Sequence, residues 1–211
     1  MKTFKNILFV TLPTILIVLI LLEVFFRTVI PAANPPKYFF NEEEKIYCFS
    51  NKKKKGVYTI GRFADIRAKW SINNMHWNYP IGYYPVDEKK LITVIGDSYI
   101  AVLEVDADEN YPYLLRERLK TDYEVYAFGI PGAPLSQYLH MSRYVNKHFD
   151  PDILIINLVH NDFDQSIYEL NPKDFHWPSS NIFSVNSLFD RPLVSHVQVS
   201  SSCLPFLTDL R

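Results

Sequence analysis

The hydrophobic pattern of the chain begins with an unbroken apolar stretch near the N-terminus. Residues 7–26 are almost wholly apolar, with Pro13 inside the stretch and Glu23 near its far end. A helix of about 20 residues is long enough to cross roughly 30 Å of hydrocarbon. The pattern therefore predicts a transmembrane helix over residues 7–26. A cleaved secretory signal and a buried globular helix are the alternatives that the same pattern leaves open.

Positive charges precede this apolar stretch. Lys2 and Lys5 stand before it, and Arg27 and Lys37, which follow it, reduce the asymmetry of charge. Lysine and arginine are enriched on the cytoplasmic side of membrane helices. We therefore predict a single-pass membrane protein with residues 1–6 in the cytoplasm and the rest on the periplasmic or extracytoplasmic side.

The region that follows the apolar stretch has no sustained helical period. Three prolines between residues 31 and 36 interrupt any helix, and charged, aromatic and turn residues alternate as far as about residue 90. We predict a stalk or linker over 27–65, followed by irregular or short-strand structure. Within segment 66–84, four large apolar residues are expected to pack against one edge of the next domain: Trp70, Ile72, Trp77 and Tyr79.

From Lys90 onward, apolar strands alternate with amphipathic helices. The strands are expected over 91–95, 125–128 and 153–159, and the helices over 112–119 and 135–149. The last strand is apolar except for Asn157, which is typical of a parallel strand covered on both faces. This alternation predicts an α/β fold with a parallel sheet, in one domain over residues 66–211. In the first helix, the spacing puts four residues on the buried face: Tyr111, Leu114, Leu115 and Leu119.

Composition and charge exclude some classes of function. The chain has 211 residues, a formal net charge of −1 and 48% hydrophobic residues, so it can bury one core and offers no broad basic field for nucleic acid. Its two cysteines, Cys48 and Cys203, leave the redox compartment open. No group of His, Cys or carboxylate residues has the spacing of a metal site, so we expect neither metal nor cofactor.

Candidate chemistry stands at the ends of the three predicted strands. Ser98 follows the first strand, Gly132 lies in the loop after the second, and Asn161 follows the third. Because the carboxyl ends of parallel strands share one edge of a sheet, these residues are expected to meet there. A serine hydroxyl can act as a nucleophile, while the N–H at a glycine and an asparagine amide can stabilise an oxyanion. Turn formation and helix capping are the structural alternative for each residue taken alone.

Residues 92–164 resemble the SGNH, or GDSL-like, hydrolases. Ile95 to Tyr99 is similar to the first block of that family, Ala127 to Gly132 to the second, and Asp152 to Asp162 to the third. The resemblance implies that Ser98 is the nucleophile and that Gly132 and Asn161 belong to the oxyanion hole. It also implies a flavodoxin-like three-layer fold and metal-free chemistry on acyl esters. Val159 departs from the glycine that usually opens the third block.

One block of the family pattern is missing from the sequence. The family has an Asp-x-x-His block near the C-terminus, in which histidine is the general base and aspartate orients it. After Asp162 the chain contains His176 and His196, but neither stands three residues after an aspartate. Segment 171–211 also lacks clear further βα units. The sequence therefore predicts a domain that is incomplete at its C-terminus, and whether it is an active enzyme stays open.

Together with the apolar N-terminal stretch, this resemblance implies a membrane-anchored serine hydrolase that acts on acyl esters by hydrolysis or acyl transfer. Its substrate would be an ester in the form of a small molecule, a lipid or a glycan. One alternative is an inactive or truncated SGNH-fold protein with a binding or scaffold role. Another is an O-acetyltransferase or esterase that acts on cell-envelope glycans.

Overall fold

The computed structural model describes residues 7–86 and 88–166. It opens with a π-helical turn, Ile7–Thr11, which continues into helix α1, Leu12–Thr28. Together these form a single helix, Ile7–Thr28, that is long and apolar enough to cross a membrane. None of its residues is buried against the rest of the protein. This outward-facing apolar surface differs from that of a core helix, which would be covered by other elements.

Two antiparallel hairpins follow α1. The first joins β1 (Tyr38–Asn41) to β2 (Ile46–Phe49), and the second joins β3 (Lys55–Ile60) to β4 (Ile66–Ser71). Hairpin β1–β2 belongs to the folded body, because Ile46 and Phe49 are fully buried in the core.

The structure thus differs from the stalk predicted over 27–65. Short apolar runs such as the one in β2 are too brief to show a period, so the sequence did not distinguish a buried hairpin from a linker. The division of the chain into domains otherwise stays a prediction.

The parallel sheet forms where the alternating pattern predicted it. Its strands are β5 (Lys90–Gly96), β6 (Tyr123–Gly129) and β7 (Ile153–Ile156), in the spatial order β6-β5-β7. The register aligns Gly96 with Gly129 and Ile95 with Ile156, so the three carboxyl ends are neighbours. The central strand β5 carries the segment that contains Ser98.

Within residues 88–166, four helices accompany the sheet: α2 (Ser98–Ala101), α3 (Tyr111–Leu119), α4 (Leu135–Phe149) and α5 (His160–Ser166). Strand β6 lies at one edge of β5, and the chain then crosses back over β5 to place β7 at its other edge. Because parallel crossovers are right-handed, α3 and α4 lie on opposite faces of the sheet. This confirms the predicted flavodoxin-like three-layer α/β fold, in which the reversal of strand order marks the usual position of a site.

The core confirms one predicted set of packing residues and corrects another. The four residues expected to pack against the domain are 0–3% exposed: Trp70, Ile72, Trp77 and Tyr79. In α3, by contrast, Tyr111 and Leu114 are 48% and 49% exposed, and the buried residue is Pro112. Only Leu115 and Leu119 of the predicted face pack against the core, together with Tyr113. Helix α3 therefore buries a face rotated from the one that periodicity indicated.

Candidate functional site

Ser98 is the first residue of α2, immediately after the central strand. Asp97 caps this helix, because its Oδ1 accepts a hydrogen bond from the Tyr99 N–H at 2.9 Å. The Ser98 hydroxyl is partly buried and donates to Asp97 Oδ2 at 3.3 Å. Asp97 itself is 1% exposed. A capping carboxylate satisfies the free N–H groups of the first turn, and here it also fixes where the serine lies.

The C-terminal end of α2 is held by hydrogen bonds from Asn78, which lies in the segment before the sheet. The side chain of Asn78 is 3% exposed and donates to the carbonyl oxygens of Ala101 at 2.7 Å and Val102 at 3.2 Å. Asn78 in turn accepts from the Ser71 N–H at 2.9 Å. Helix α2 is only one turn long, so these bonds supply order that its own ladder cannot.

Two glycines allow α2 to lie directly on the strand ends. A Cβ at Gly129 would press against the backbone N of Ala101 and lie 2.6 Å from the carbonyl carbon of Ile100. A Cβ at Gly96 would lie 2.5 Å from Ile100 Cγ1 and 3.3 Å from the carbonyl oxygen of Asn157. The glycines of the first two blocks therefore permit close packing around the turn that carries Ser98.

Gly132 has a different role from these packed glycines. Its φ is +76°, and a Cβ added there would meet no heavy atom within 4 Å. The left-handed backbone, rather than crowding, is what favours glycine at this position. Gly132 follows Pro131, which lines the same pocket as Ser98. The structure thus brings the loop that contains Gly132 to the serine.

Asn161 is the second residue of α5, which begins after the neighbouring strand β7. Its side chain lies outside the described part of the structure. The next residue, Asp162, is fully buried and accepts hydrogen bonds at 2.9 Å from the Val159 N–H and from the Tyr138 hydroxyl. These bonds fix the turn from which α5 starts and tie it to α4.

The environment of Asp162 disfavours its charge. Burial raises the pKa of this carboxyl from 3.8 to about 6, although the bonds from Val159 and Tyr138 lower it, and the nearby Asp97 also raises it. Its Oδ1 has no hydrogen-bond partner among the described atoms. Burial also raises the pKa of the Tyr138 hydroxyl, and the nearby carboxyl groups of Asp162 and Asp97 raise it further. Ionisation of a buried carboxyl with one unpaired oxygen is unfavourable, and this carboxyl lies near Asp97, the residue before Ser98.

A pocket of about 230 Å³ opens beside Ser98. Its walls come from the segment before β1, from both hairpins and from the loops after α2 and β6: Pro35, Tyr38, Tyr58, Leu103, Glu104 and Pro131. These wall residues could not be predicted from the sequence. Tyr38 and Tyr58 lie in the region predicted to be a linker, and no spacing in that region relates them to Ser98, which stands 60 and 40 positions later.

No histidine lines this pocket within the described residues. His160 is exposed at the start of α5. His140 is on α4, where burial and the neighbouring Arg143 and Lys45 lower the pKa of its imidazole. His176 and His196 lie outside the described residues.

Chemically, this site presents a partly buried hydroxyl at a helix N-terminus, next to an open left-handed glycine loop. Backbone N–H groups at such positions can stabilise negative charge on a substrate oxygen. The three residues predicted from the sequence stand on adjacent strand ends, with Ser98 in the centre. Their assignment as nucleophile and oxyanion hole is a prediction that the backbone arrangement supports.

Comparison with known proteins identifies residues 92–182 as a match to the family described as GDSL-like Lipase/Acylhydrolase. Among solved structures, the chain is 26% identical to the SGNH-hydrolase family esterase AlinE4, covering 36% of this chain and 43% of that one, with a TM-score of 0.33. It is 29% identical to TesA, covering 35% of this chain and 42% of that one, also with a TM-score of 0.33. The chain thus spans less than half the length of either structure. No curated protein matches.

Proposed function

Because residues 92–182 match the GDSL-like Lipase/Acylhydrolase family, we propose that this chain is a serine hydrolase that acts on acyl esters, with Ser98 as its nucleophile. The observation that carries the proposal is the position of Ser98. It follows the central strand, is the first residue of a one-turn helix and lines a pocket. The proposal concerns the class of reaction, which is attack of a serine on an ester carbonyl.

In the proposed reaction, Ser98 Oγ attacks the acyl carbon and forms a new C–O bond. Its proton passes to a general base and from there to the departing alcohol as the original ester C–O bond breaks. Water then attacks the acyl-enzyme, releases the acid and restores the serine hydroxyl. An alcohol acceptor in place of water would make the same site a transferase.

The oxyanion of the tetrahedral intermediate needs donors near the pocket. We assign this role to the backbone N–H groups of Ser98 and Gly132 and to the side-chain amide of Asn161. The support is positional, because these residues follow three adjacent strand ends. Loss of a single oxyanion donor in enzymes of this kind costs on the order of 10²–10³ in kcat.

The general base is expected to be a histidine. The candidates in the sequence are His160, His176 and His196, of which only His160 belongs to the described structure, where it is exposed. Each can be tested by replacement with alanine. The proper base is the one whose loss lowers kcat without reducing substrate binding, because proton transfer acts in the transition state.

We further propose that helix Ile7–Thr28 anchors the chain in a membrane, with the hydrolase segment on the extracytoplasmic side. The support is the length and apolar surface of the helix and the lysines before it. Fusion of alkaline phosphatase after Arg211 tests the orientation in bacterial cells. Phosphatase activity is expected, and its absence with the fusion expressed would place this end in the cytoplasm.

Hydrolysis itself is tested by release of p-nitrophenol from p-nitrophenyl butyrate by the full chain in detergent micelles. Ser98→Ala should abolish the release, whereas Ser142→Ala should keep it. Ser142 is a suitable control because its hydroxyl only donates to the carbonyl of Tyr138 within α4. Equal release by the parent chain and Ser98→Ala would reject the assignment of Ser98. A binding or scaffold role would be favoured if neither chain released product.

A further inference from the structure

The pocket beside Ser98 is built in part from residues that precede the family segment. Pro35, Tyr38 and Tyr58 all lie before residue 92, yet they line the cavity that Ser98 faces. The remaining wall comes from Leu103 and Pro131, on the loops that follow α2 and β6. The segment before β1 and the two hairpins therefore add a wall to a site whose proposed nucleophile follows the central strand of the sheet.

This added wall is fastened to the second hairpin by backbone and side-chain hydrogen bonds. The Asn34 N–H donates to the carbonyl of Val57 at 3.1 Å, and Trp70 Nε1 donates to the carbonyl of Asn34 at 2.8 Å. Thr59 Oγ1 donates to the carbonyl of Pro31 at 3.2 Å. Trp70 is 2% exposed, so the anchor point is part of the core. Pro35 and Tyr38 are thus held in position and do not belong to a free tether.

The second edge of the wall is fixed by aromatic packing. The ring of Tyr38 lies 5.3 Å from the ring of Phe49, which is fully buried. Tyr58 is paired opposite Ala68 in the β3–β4 ladder, and Ala68 is 1% exposed. A rigid aromatic wall can recognise a ligand at a small cost in side-chain entropy, because little freedom remains to be lost.

The lining is mostly apolar and carries one ionisable acid. Glu104 is exposed at the rim, and no lysine, arginine or histidine lines this pocket among the described residues. Burial raises the pKa of the Tyr38 hydroxyl, and the neighbouring Tyr58 and Glu104 raise it further. Among the described residues, the pocket therefore has one carboxylate, Glu104, and no cation that would balance a negative charge on a ligand.

The size of the pocket limits its occupant. Its volume of about 230 Å³ is below the roughly 300–1,000 Å³ typical of sites for drug-sized ligands. An acyl chain of a few carbons fits such a space, whereas a long fatty chain would extend beyond it.

We propose that Pro35, Tyr38 and Tyr58 form, with Leu103 and Pro131, a subsite that receives a short uncharged acyl group, and that Glu104 disfavours acyl groups carrying a carboxylate. This inference rests on the proposed role of Ser98 as nucleophile. It assigns substrate selection to the segment between the apolar helix and the sheet.

The test measures binding separately from catalysis. Full-length Ser98→Ala chain in detergent micelles is titrated with methyl butyrate and with the monomethyl succinate anion, and binding is followed by saturation-transfer NMR. The two probes share a four-carbon acyl group and differ by a carboxylate. Methyl butyrate should bind about tenfold more tightly than the anion, which corresponds to about 1.4 kcal/mol. Glu104→Gln in the same background should reduce this preference.

Variants of the wall identify the residues that bind. Tyr58→Ala in the Ser98→Ala background should weaken methyl butyrate binding about tenfold through loss of aromatic contact. Tyr58→Phe should bind as the parent does, because it retains the ring. Tyr111→Ala is the matched control, since Tyr111 lies on α3 and is not a wall residue. A thermal unfolding curve for each variant shows that it is folded.

Failure of this inference is distinguishable from failure of the proposed function. If Tyr58→Ala binds methyl butyrate as tightly as the parent, or the anion binds as tightly as the neutral ester, the subsite is refuted whatever Ser98 does. If binding depends on the wall while the intact chain shows no Ser98-dependent chemistry, the subsite stands and the proposed reaction fails.

Discussion

The hydroxyl of Tyr138 donates a 2.9 Å hydrogen bond to Asp162 Oδ2, joining the buried face of α4 to the first turn of α5. Both side chains are at most 2% exposed. Asp162 also accepts from the Val159 N–H, so one carboxylate fixes the turn before α5 and the helix that packs behind it. Because Asn161 precedes Asp162, the hydrogen bond between Tyr138 and Asp162 helps to fix the position of the Asn161 backbone.

Replacing Tyr138 with phenylalanine should destabilise the protein. The change removes one donor from a buried carboxylate that already has an unpaired Oδ1, so the expected loss is about 1–3 kcal/mol in the free energy of unfolding. It should also raise the pKa of Asp162 further, since the Tyr138 bond lowers that pKa. Urea unfolding of the full chain in detergent measures the loss. An unchanged midpoint would contradict the importance of this bond.

Asp162→Asn should change how stability depends on pH. In the folded parent, burial raises the pKa of Asp162 from 3.8 to about 6. Between about pH 4 and pH 6 the folded carboxyl keeps its proton while the unfolded one has lost it, so the parent loses stability as pH rises through this window. Asparagine has no such proton. The stability of Asp162→Asn relative to the parent should therefore increase from pH 4 to pH 6 and then level off, as followed by unfolding at each pH. A constant difference would show that Asp162 does not titrate as described.

The contribution of Glu44 to stability should depend on pH in the opposite sense to that of Asp162. Lys147 Nζ and His148 Nε2 each lie 2.7 Å from Glu44 Oε1 and connect α4 to the turn of hairpin β1–β2. The hydrogen bonds from Lys147 and His148 lower the pKa of this carboxyl. Its stabilising effect is therefore present at neutral pH and is lost as pH falls through the lowered pKa.

Glu44→Gln should be less stable than the parent at pH 7, and the difference should shrink on acidification. Glu42→Gln is the control, because its contact with Lys45 is 3.4 Å long and its side chain is 82% exposed. The same loss for both variants would argue against a specific role for Glu44.

Gly129→Ala should be more damaging than Gly132→Ala. At Gly129 the new methyl would press on the backbone of α2, whereas at Gly132 it meets no atom and only the positive φ is unfavourable. The left-handed conformation costs an alanine roughly 1–2 kcal/mol, and a clash with backbone costs more because the neighbour cannot rotate away. Urea unfolding compares the two variants. A larger loss for Gly132→Ala would contradict the close packing of α2 on β6.

Much of the fold and the order of the candidate site follow from the sequence. Strands β5, β6 and β7 are mostly apolar, and the segment that follows each of them carries one of the candidate site residues. The sequence alone therefore predicts that Ser98, Gly132 and Asn161 lie at one edge of the sheet. The family resemblance and the periodicity point to the same elements, as expected when local pattern and global fold agree.

The contribution of the hairpins could not be predicted in the same way. Tyr38 and Tyr58 line the Ser98 pocket through long-range packing, and β1 and β2 are four residues each, too short to show a reliable period. The prediction of which face of α3 is buried was also wrong in part, because a helix of nine residues has too few turns for its apolar positions to define one face. Contacts between distant segments depend on the assembled fold, and a single sequence does not encode them as a pattern.

The nucleophilic role of Ser98 is tested most directly by intact-mass labelling of the full chain with a fluorophosphonate in detergent micelles. The reagent forms a covalent bond to an activated serine, so a single adduct should appear on the parent chain and on Ser142→Ala, and be missing from Ser98→Ala. Peptide mapping should assign the adduct to Ser98. Absence of an adduct on the folded parent chain, or an adduct that persists in Ser98→Ala, would contradict the account.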